Sequence, residues 1–336
     1  MLCLHKAGEC MQGKAGVGAA LLGALCLALA PVSPKADEGG ASVWLPGQFA
    51  SFAAVPGDPG FSLEAMFYVR KASATAGTSF ARGGGLLLGY DTAEQYLFLT
   101  PGYTFADPVL NGQLWLGVTF SAGRADTSVW GVLATPNAGT FSARNSDSVA
   151  GISDLYPMAS LKWQTGSHNF MTYIMGSAPL GTYDPSRLAG VGLGHWAIDA
   201  GLGYTYMPAS GFEVSLTAGM TYNFINPTTR YQSGVDAHLD VGLSYSLSDN
   251  FYVGAAGYFF KQVSPDTGGS ALLGEFRSQV AGVGPQVGWS FELGGLAAEL
   301  DVRGYKEFAA VNRPEGWNVF VVVSLSRVRR AKEKAR

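Results

Sequence analysis

Residues 212–224, FEVSLTAGMTYNF, decide the fold class, because large apolar residues alternate with small or polar ones at every position. Phe212 and Leu216 fall on one parity, whereas Glu213 and Thr217 fall on the other. A period of two residues is typical of a β-strand with two different faces. The stretch therefore predicts a strand that separates an apolar environment from a polar one.

The same alternation recurs in residues 154–163, 238–247 and 298–307, and turn-forming residues separate such runs. Short connections alternate with longer ones, as expected when one rim of a barrel carries turns and the other carries loops. The longer connections are residues 183–194, 226–235 and 264–274. We count 12 or 13 candidate strands, the count being uncertain in residues 42–58 and 127–148. Because single-chain barrels have an even number of strands, we predict a 12-stranded antiparallel barrel, with 14 strands as the alternative.

Alternation alone does not say which face lies inside. A 12-stranded barrel encloses more space than apolar side chains fill easily. The polar face of the predicted strands is mostly Gly, Ser and Thr, whereas a solvent-exposed outer surface is rich in Lys and Glu. We therefore predict a polar lumen and a lipid-facing apolar belt; a large soluble β-protein is the alternative. Aromatic residues near strand ends are expected to form interfacial girdles: Trp163, Tyr204, Tyr206, Tyr222, Phe224 and Trp317.

The N-terminus is typical of an export signal, with Lys6 and Lys14 ahead of an apolar stretch at residues 15–30. We assign residues 1–36 to a signal peptide and do not assign the bond at which it is cleaved. A single N-terminal anchor helix is the alternative. The three cysteines, Cys3, Cys10 and Cys26, lie in this leader, so the exported chain has no disulfide or thiolate site. The remaining assignments are an N-terminal extension at residues 37–59, the transmembrane barrel at 60–326 and a basic tail at 327–336.

Composition and charge exclude several classes of protein. With 47% hydrophobic residues the chain is not intrinsically disordered, and beyond the leader no apolar run approaches the length of a spanning helix. Residues 37–326 hold 23 acidic and 13 basic residues, a net charge of −10, which disfavours nucleic acid as a partner. Residues 327–336 hold six basic residues and one acidic residue, which suits contact with anionic lipid headgroups.

Charged residues on the polar parity of the predicted strands are the candidate lumen residues. Such groups set the local field and hence the selectivity of a pore. Opposite charges also pair across strands, so a purely structural role is the alternative. The candidates are Glu213, His238, Asp240, Arg277, Glu299, Asp301 and Arg303. In the loop at residues 183–194, Tyr183, Asp184 and Arg187 are candidates either for an infolded lid or for a plain exposed loop.

Other constellations are weak candidates for chemistry. His238 and Asp240 share a strand face, but a metal site needs three or four converging ligands and no others are suitably spaced. Ser167 and His168 are adjacent, so on a strand they would point to opposite faces, and the pair falls in a predicted turn. Glycine clusters such as residues 282–285 do not open a helix, as a phosphate loop requires. We therefore predict no metal, no cofactor and no enzymatic activity.

Seven short segments together resemble a known family. They are DLYPMASLKW (154–163), GTYD (181–184), RLA (187–189), YNFINP (222–227), GPQ (284–286), GYKEF (304–308) and NRPEGWN (312–318). They are similar to outer-membrane proteins named for the meta pathway of phenol degradation, and the likeness runs from Trp44 to Ser326. The resemblance implies a β-barrel associated with the breakdown of aromatic compounds and a role as an uptake channel.

Together, these observations predict an exported outer-membrane barrel of a Gram-negative bacterium. Its expected function is passive uptake of small apolar or aromatic compounds. The expected partners are outer-membrane lipid and those solutes, and the oligomeric state is left open. A structural barrel without transport, a lipid-modifying enzyme and a soluble periplasmic binding protein are the alternatives.

Overall fold

A computed structural model describes residues 42–81, 83–136, 139–268 and 277–327. It shows a closed antiparallel barrel of twelve strands, which confirms the predicted number, and a separate two-stranded sheet, β8–β11. The strands are β1 (Gly60–Ser79), β2 (Gly85–Thr104), β3 (Gln113–Thr135), β4 (Gly139–Thr165), β5 (His168–Ser177), β6 (Ala197–Tyr206), β7 (Phe212–Asn223), β8 (Tyr231–Gln232), β9 (Asp236–Ser248), β10 (Phe251–Gln262), β11 (Thr267–Gly268), β12 (Gln279–Leu293), β13 (Leu296–Val311) and β14 (Glu315–Arg327). Pairing of β1 with β14 closes the barrel. In the part of the chain that the structure describes, no helix is long and apolar enough to cross a membrane.

The polar parity of the strands faces the lumen and the apolar parity faces outward, as predicted. On β7, Leu216 is 40% exposed on the outer surface, whereas its neighbour Thr217 is 1% exposed inside. On β9 the same holds for exposed Leu243 and buried Ser244. A barrel with an apolar exterior and a polar interior suits a lipid environment. The soluble alternative is therefore wrong.

The two rims of the barrel differ in the length of their connections. Residues 166–167, 249–250 and 294–295 are tight turns at one rim, where β1 also begins and β14 ends. Gly294 and Gly295 both adopt positive φ (59° and 81°), as a two-residue hairpin turn of this kind requires. The long connections lie at the opposite rim. By the rule for outer-membrane barrels, the rim with the tight turns is periplasmic and the other is extracellular.

Aromatic residues mark both rims on the outer surface. Those near the periplasmic rim are Trp163, Tyr204 and Tyr206, and those near the extracellular rim are Tyr222, Phe224 and Trp317. Each lies on the outward parity of its strand or directly after it. The predicted girdles are thus present at the positions where aromatic rings sit in a membrane interface.

One side of the barrel extends beyond the other at the extracellular rim. Strands β1–β4 have 20 to 27 residues, whereas β5 and β6 have 10 each. β4 pairs with β5 only from Met158 to Thr165. The outward face of the extension carries the ion pair Arg124–Asp126 at 2.8 Å, which is exposed. The extension therefore presents charged side chains on its outward face, which suits a position above the lipid-facing belt.

Candidate functional site in the barrel lumen

Residues 42–59, here named the N-terminal segment, lie inside the lumen rather than outside the barrel. Near the periplasmic rim, Gln113 Nε2 donates to the carbonyl oxygen of Gly57 at 2.7 Å, and Lys162 Nζ donates to that of Val55 at 3.1 Å. Near the same rim, the N–H of Ala54 donates to Thr205 Oγ1 at 3.1 Å. The segment thus enters from the periplasmic rim and climbs the inner wall.

Asp240 and Arg303 hold the upper part of the N-terminal segment through its backbone. The Asp240 carboxylate accepts the N–H groups of Gly47 at 3.0 Å and Phe49 at 3.1 Å. Arg303 donates to the carbonyl oxygens of Gly47 at 3.1 Å and Gln48 at 2.7 Å. Backbone N–H and C=O groups inside a protein need hydrogen-bond partners. These two side chains supply partners for the backbone of a turn that is not part of the sheet.

Trp44, near the start of the described chain, packs into a buried aromatic cluster. Its ring stacks on that of His238, with centroids 3.7 Å apart and planes 13° apart, and also lies against Tyr173. His238 Nε2 lies 3.0 Å from Asp199 Oδ2 and 3.3 Å from Tyr173 Oη. Trp44 has no exposed surface, so the cluster fixes this end of the N-terminal segment.

Glu213, a predicted lumen residue like His238 and Asp240, also contacts the N-terminal segment. Its carboxylate accepts the N–H of Phe52 at 3.0 Å and the hydroxyl of Ser244 at 2.9 Å. All three residues therefore lie in the lumen, as their parity predicted. Sequence reasoning missed that their partners belong to residues 42–59, since no local pattern links these distant positions.

Asp301 and Arg303 form an ion pair on β13 in the lumen. Tyr252 donates its hydroxyl to Asp301 at 2.9 Å, and the Arg303 guanidinium lies over the Phe320 ring at 4.9 Å. Glu299, two residues earlier, lines the open part of the lumen. These three side chains occupy the positions predicted for them.

Arg277 is a correction to the predicted lumen set. It lies two residues before β12 begins and is exposed at the extracellular rim. The inward parity of β12 starts with Val280, which has no exposed surface, and continues to Gln286. An odd-numbered residue would thus face outward even if the strand began earlier. This parity is hard to recognise in the sequence, because the stretch that follows Arg277 is rich in Gly and Val.

The loop between β5 and β6, residues 178–196, folds into the extracellular end of the lumen. Asp154 accepts the N–H groups of Gly181 at 2.9 Å and Leu193 at 2.8 Å. Ala189, Val191 and Leu193 are buried. Asp154 therefore holds this loop by accepting two backbone N–H groups, as Asp240 does for the N-terminal segment. Of the two alternatives for this loop, the infolded one is present.

The three predicted loop residues lie at the outer part of the same loop. Asn226 Nδ2 donates to Tyr183 Oη at 2.9 Å, and Arg187 donates to Asp147 at 2.6 Å. The hydrogen bond to Asp147 raises the pKa of Arg187 above its ordinary value. The Ser186 hydroxyl donates to Asp184 at 2.6 Å and lowers the pKa of that carboxyl. These contacts join the loop to β4 and to the connection between β7 and β8, and they hold its shape.

A cavity of about 520 Å³ remains between the N-terminal segment and the wall formed by β1–β4, β13 and β14. It is lined at one end by Ser326, near the periplasmic end of β14, and at the other by Arg313, in the extracellular turn before β14. Arg70 bridges Glu94 and Glu307 on this wall, at 3.3 Å each. The apolar lining consists mainly of thioethers and rings: Phe49, Met66, Tyr68, Tyr96, Phe98, Tyr156, Met158, Met171 and Met175.

The residues considered above as weak candidates for a metal site or a catalytic site do not come together in the part of the chain that the structure describes. Among the described residues, no group of three His, Cys, Asp or Glu side chains has the arrangement of a metal site. Ser167 lies in a periplasmic turn, and His168 contacts Tyr204 Oη at 2.8 Å on the outer surface. His195 is buried at the extracellular end against Leu193 and Asn223. These contacts assemble no nucleophile, base and orienter on one face.

The fold is similar to that of a solved outer-membrane channel, and two further solved structures align more weakly. The COG4313 outer membrane channel from Pseudomonas putida F1 aligns with a TM-score of 0.65 at 12% identity, covering 83% of this chain and 99% of that chain. A Pseudomonas aeruginosa FadL homologue aligns with a TM-score of 0.37 at 11% identity, covering 80% and 90%. The CymD monoaromatic hydrocarbon channel aligns with a TM-score of 0.35 at 8% identity, covering 89% and 97%. No curated protein sequence matches the chain.

The fold, its apolar exterior and its similarity to the Pseudomonas putida barrel identify an outer-membrane protein of the Gram-negative type. A family model described as "Putative MetA-pathway of phenol degradation" matches residues 58–322, which is most of the barrel. This agrees with the resemblance carried by the seven segments in the sequence. The chain therefore belongs to this family.

Proposed function

We propose that the protein is a passive channel through which small apolar or aromatic compounds cross the outer membrane. The observation that carries this proposal is the 520 Å³ cavity, because residues from both ends of β14 line it. A cavity that extends along the barrel wall offers a solute a path as well as a binding site. A purely structural barrel has no need to keep such a space open.

The walls of the cavity favour apolar and aromatic solutes. Thioether side chains adapt to many shapes and make favourable contacts with rings, and Met66, Met158, Met171 and Met175 all line it. Tyr96 and Phe98 add a stacked pair of rings, with centroids 5.7 Å apart. Small-molecule sites are mostly apolar with a few polar groups that set orientation. The family description, which refers to phenol degradation, supports the same solute class.

The N-terminal segment and the infolded β5–β6 loop limit the size of the solute. A volume of 520 Å³ lies within the range of sites for small molecules. Larger solutes would pass only when one of these two inward segments moves. Each segment is held largely by hydrogen bonds to barrel side chains, so motion of either leaves the barrel wall intact.

Conductance and growth together test the channel. The purified protein in a planar bilayer should conduct, and cells that lack it should grow more slowly on a limiting phenolic carbon source but normally on sugars. Thr100→Trp should reduce both conductance and growth on the phenolic compound, because Thr100 lines the cavity. Leu99→Trp, one residue away on the lipid-facing surface, is the matched control and should change neither.

The outcomes separate the proposal from its rivals. Unchanged growth together with a barrel that does not conduct would favour a structural role without transport. Lipid hydrolysis that is lost when His168 is replaced would favour an outer-membrane lipid-modifying enzyme. Equal effects of Thr100→Trp and Leu99→Trp would contradict passage through this cavity.

A further inference from the structure

One buried side-chain oxygen beside the cavity has no hydrogen-bond partner. Asn318 on β14 lines the cavity and is 2% exposed, and its Oδ1 atom accepts no hydrogen bond from the described residues. Among the described residues that line the cavity, Asn318 alone has a buried side-chain polar atom that lacks a partner. A buried oxygen without a donor costs free energy. A molecule that brings a donor to this atom would therefore bind favourably.

The neighbouring hydrogen bonds fix the orientation of the Asn318 amide. Asn318 Nδ2 donates to Tyr258 Oη at 2.8 Å, and Tyr258 donates its hydroxyl proton to Glu307 Oε1 at 3.1 Å. Glu307 also accepts from Arg70 Nε at 3.3 Å and from the N–H of Gly316 at 2.8 Å. Because a hydroxyl has one proton, Tyr258 does not donate to Asn318 as well. The amide nitrogen therefore faces Tyr258, and the oxygen is left for another donor.

The in-register neighbours of Asn318 donate their hydrogen bonds elsewhere. On β1 its neighbour is Arg70, whose guanidinium donates to two carboxylates and to the carbonyl oxygen of Pro314 at 3.0 Å. On β13 its neighbour is Tyr305, whose hydroxyl donates to the carbonyl oxygen of Gly47 at 3.2 Å. A donor for the Asn318 oxygen would therefore come from the cavity.

Aromatic rings line the cavity one row below Asn318, toward the periplasmic rim. Tyr68 lies two residues before the in-register partner of Asn318 and pairs with Tyr96, and Met66 and Phe98 form the next inward row. Inward residues are two positions apart along a strand, so successive rows are about 6.6 Å apart. In a compound with one ring and one hydroxyl, the distance from the ring centre to the hydrogen-bond acceptor is similar, roughly 5.5 Å. A ring held among these side chains would bring its hydroxyl to Asn318.

We propose that Asn318 selects single-ring aromatic compounds that carry a neutral hydrogen-bond donor, such as a ring hydroxyl, over equally large compounds that lack one. The hydroxyl donates to Asn318 Oδ1 while the ring packs against Tyr68, Tyr96 and Met66. A compound without a donor leaves the oxygen unpaired and gains nothing from it. This inference rests on the proposed function, because it assigns a preference to the same cavity, and it adds the chemical group and the residue that set the preference.

Two isomeric compounds separate the effect of the donor from the effect of size. The isomers p-cresol and anisole contain the same atoms, but only p-cresol has an O–H group. Each is titrated into the folded protein in detergent micelles, and the NMR signal of the isotope-labelled Met66 methyl group in the cavity is followed. Met220, which is 52% exposed on the lipid-facing surface, reports the compound dissolved in the micelle. The midpoint for p-cresol at Met66 should be about fivefold lower than that for anisole, as expected for one hydrogen bond.

Two substitutions assign the preference to the Asn318 oxygen. Asn318→Leu removes the oxygen at similar volume and should bring the two midpoints together. Tyr258→Phe is the matched control, because it removes the same hydrogen bond between the two side chains but leaves the oxygen in place. The preference for p-cresol should persist in Tyr258→Phe. Because both isomers are compared in the same variant, a general loosening of the cavity affects them alike.

The outcomes distinguish this inference from the channel itself. Equal midpoints for the two isomers in the natural chain, a preference that survives Asn318→Leu, or one that Tyr258→Phe abolishes equally would overturn the role of Asn318. The comparison in the natural chain needs no variant, so it decides even if Asn318→Leu fails to fold. A preference at Met66 in a barrel that does not conduct in a planar bilayer would support the binding site and contradict the channel. A conducting barrel without the preference would keep the channel and overturn this inference.

Discussion

Replacement of Asp240 by Asn tests how firmly the N-terminal segment is held inside the barrel. The Asp240 carboxylate accepts two backbone N–H groups of this segment. Asn has the same size but offers one oxygen, and its amide N–H₂ faces the second N–H. One charge-assisted hydrogen bond is lost, and one backbone N–H is left without an acceptor. This change costs about 2 to 4 kcal/mol. The population of the released segment should therefore rise about 30- to 700-fold.

Labelling of Ala50→Cys with a maleimide measures this population. Ala50 lies in the N-terminal segment and is buried against the barrel, so the thiol reacts only when the segment leaves its position. The labelling rate in the Asp240→Asn background should rise toward that of a free thiol, while the folded barrel keeps its heat-modifiable migration on gels. Conductance should rise in parallel.

Asp154→Asn is the matched control. Asp154 makes the same pair of backbone hydrogen bonds, but to the β5–β6 loop. This substitution should expose Val191→Cys in the loop and leave Ala50→Cys protected. The reasoning is refuted if Asp240→Asn raises labelling of Ala50→Cys by less than about tenfold, or if Asp154→Asn raises it equally.

Three further predictions follow from other parts of the barrel. Leu99→Arg should impair insertion, because a cation on the lipid face costs about 2 to 4 kcal/mol at mid-membrane, whereas Thr100→Arg faces the cavity and should insert normally in the same gel assay. Gly316→Ala should lower the unfolding temperature of the barrel, since a Cβ there would lie 1.8 Å from a backbone oxygen of β1, whereas Gly304→Ala meets only ordinary contacts; equal melting would contradict this. The lowered pKa of Asp184 stabilises the β5–β6 loop above its ordinary pKa of about 4, and this contribution is lost as the pH falls below that value. Amide exchange in the loop, relative to intrinsic rates, should therefore increase below about pH 4 in the natural chain but not in Asp184→Asn.

The barrel itself was predictable because each strand carries its own two-residue period. In β7 the contrast between Leu216 and Thr217 is visible without any knowledge of neighbouring strands, and the lipid and the lumen impose it locally. The even strand number and the two kinds of rim follow from general properties of closed barrels. The predicted signal peptide lies outside the described residues, as do residues 328–336 of the predicted basic tail, so those assignments stay predictions.

The contents of the lumen were less predictable, because their contacts join distant parts of the chain. The N-terminal segment has no period, and its anchors on β7 and β9 lie more than 150 residues away. One signal does exist in the sequence. Residues 37–326 hold ten more acidic than basic residues, and many of the acids lie on inward parity. Carboxylates inside a barrel need donors, and here backbone N–H groups of residues 42–59 and 178–196 supply several of them.

The position of the N-terminal segment also constrains the order in which the molecule folds. Its hydrogen bonds to the barrel connect residues that are 56 to 258 positions apart, and contacts of such high sequence separation form only after loop-closure entropy has been overcome. The anchors on β6, β7, β9 and β13 must all be in place first. Seating of the segment is therefore a late event, so substitutions at Trp44 should accelerate unfolding while leaving the folding rate nearly unchanged.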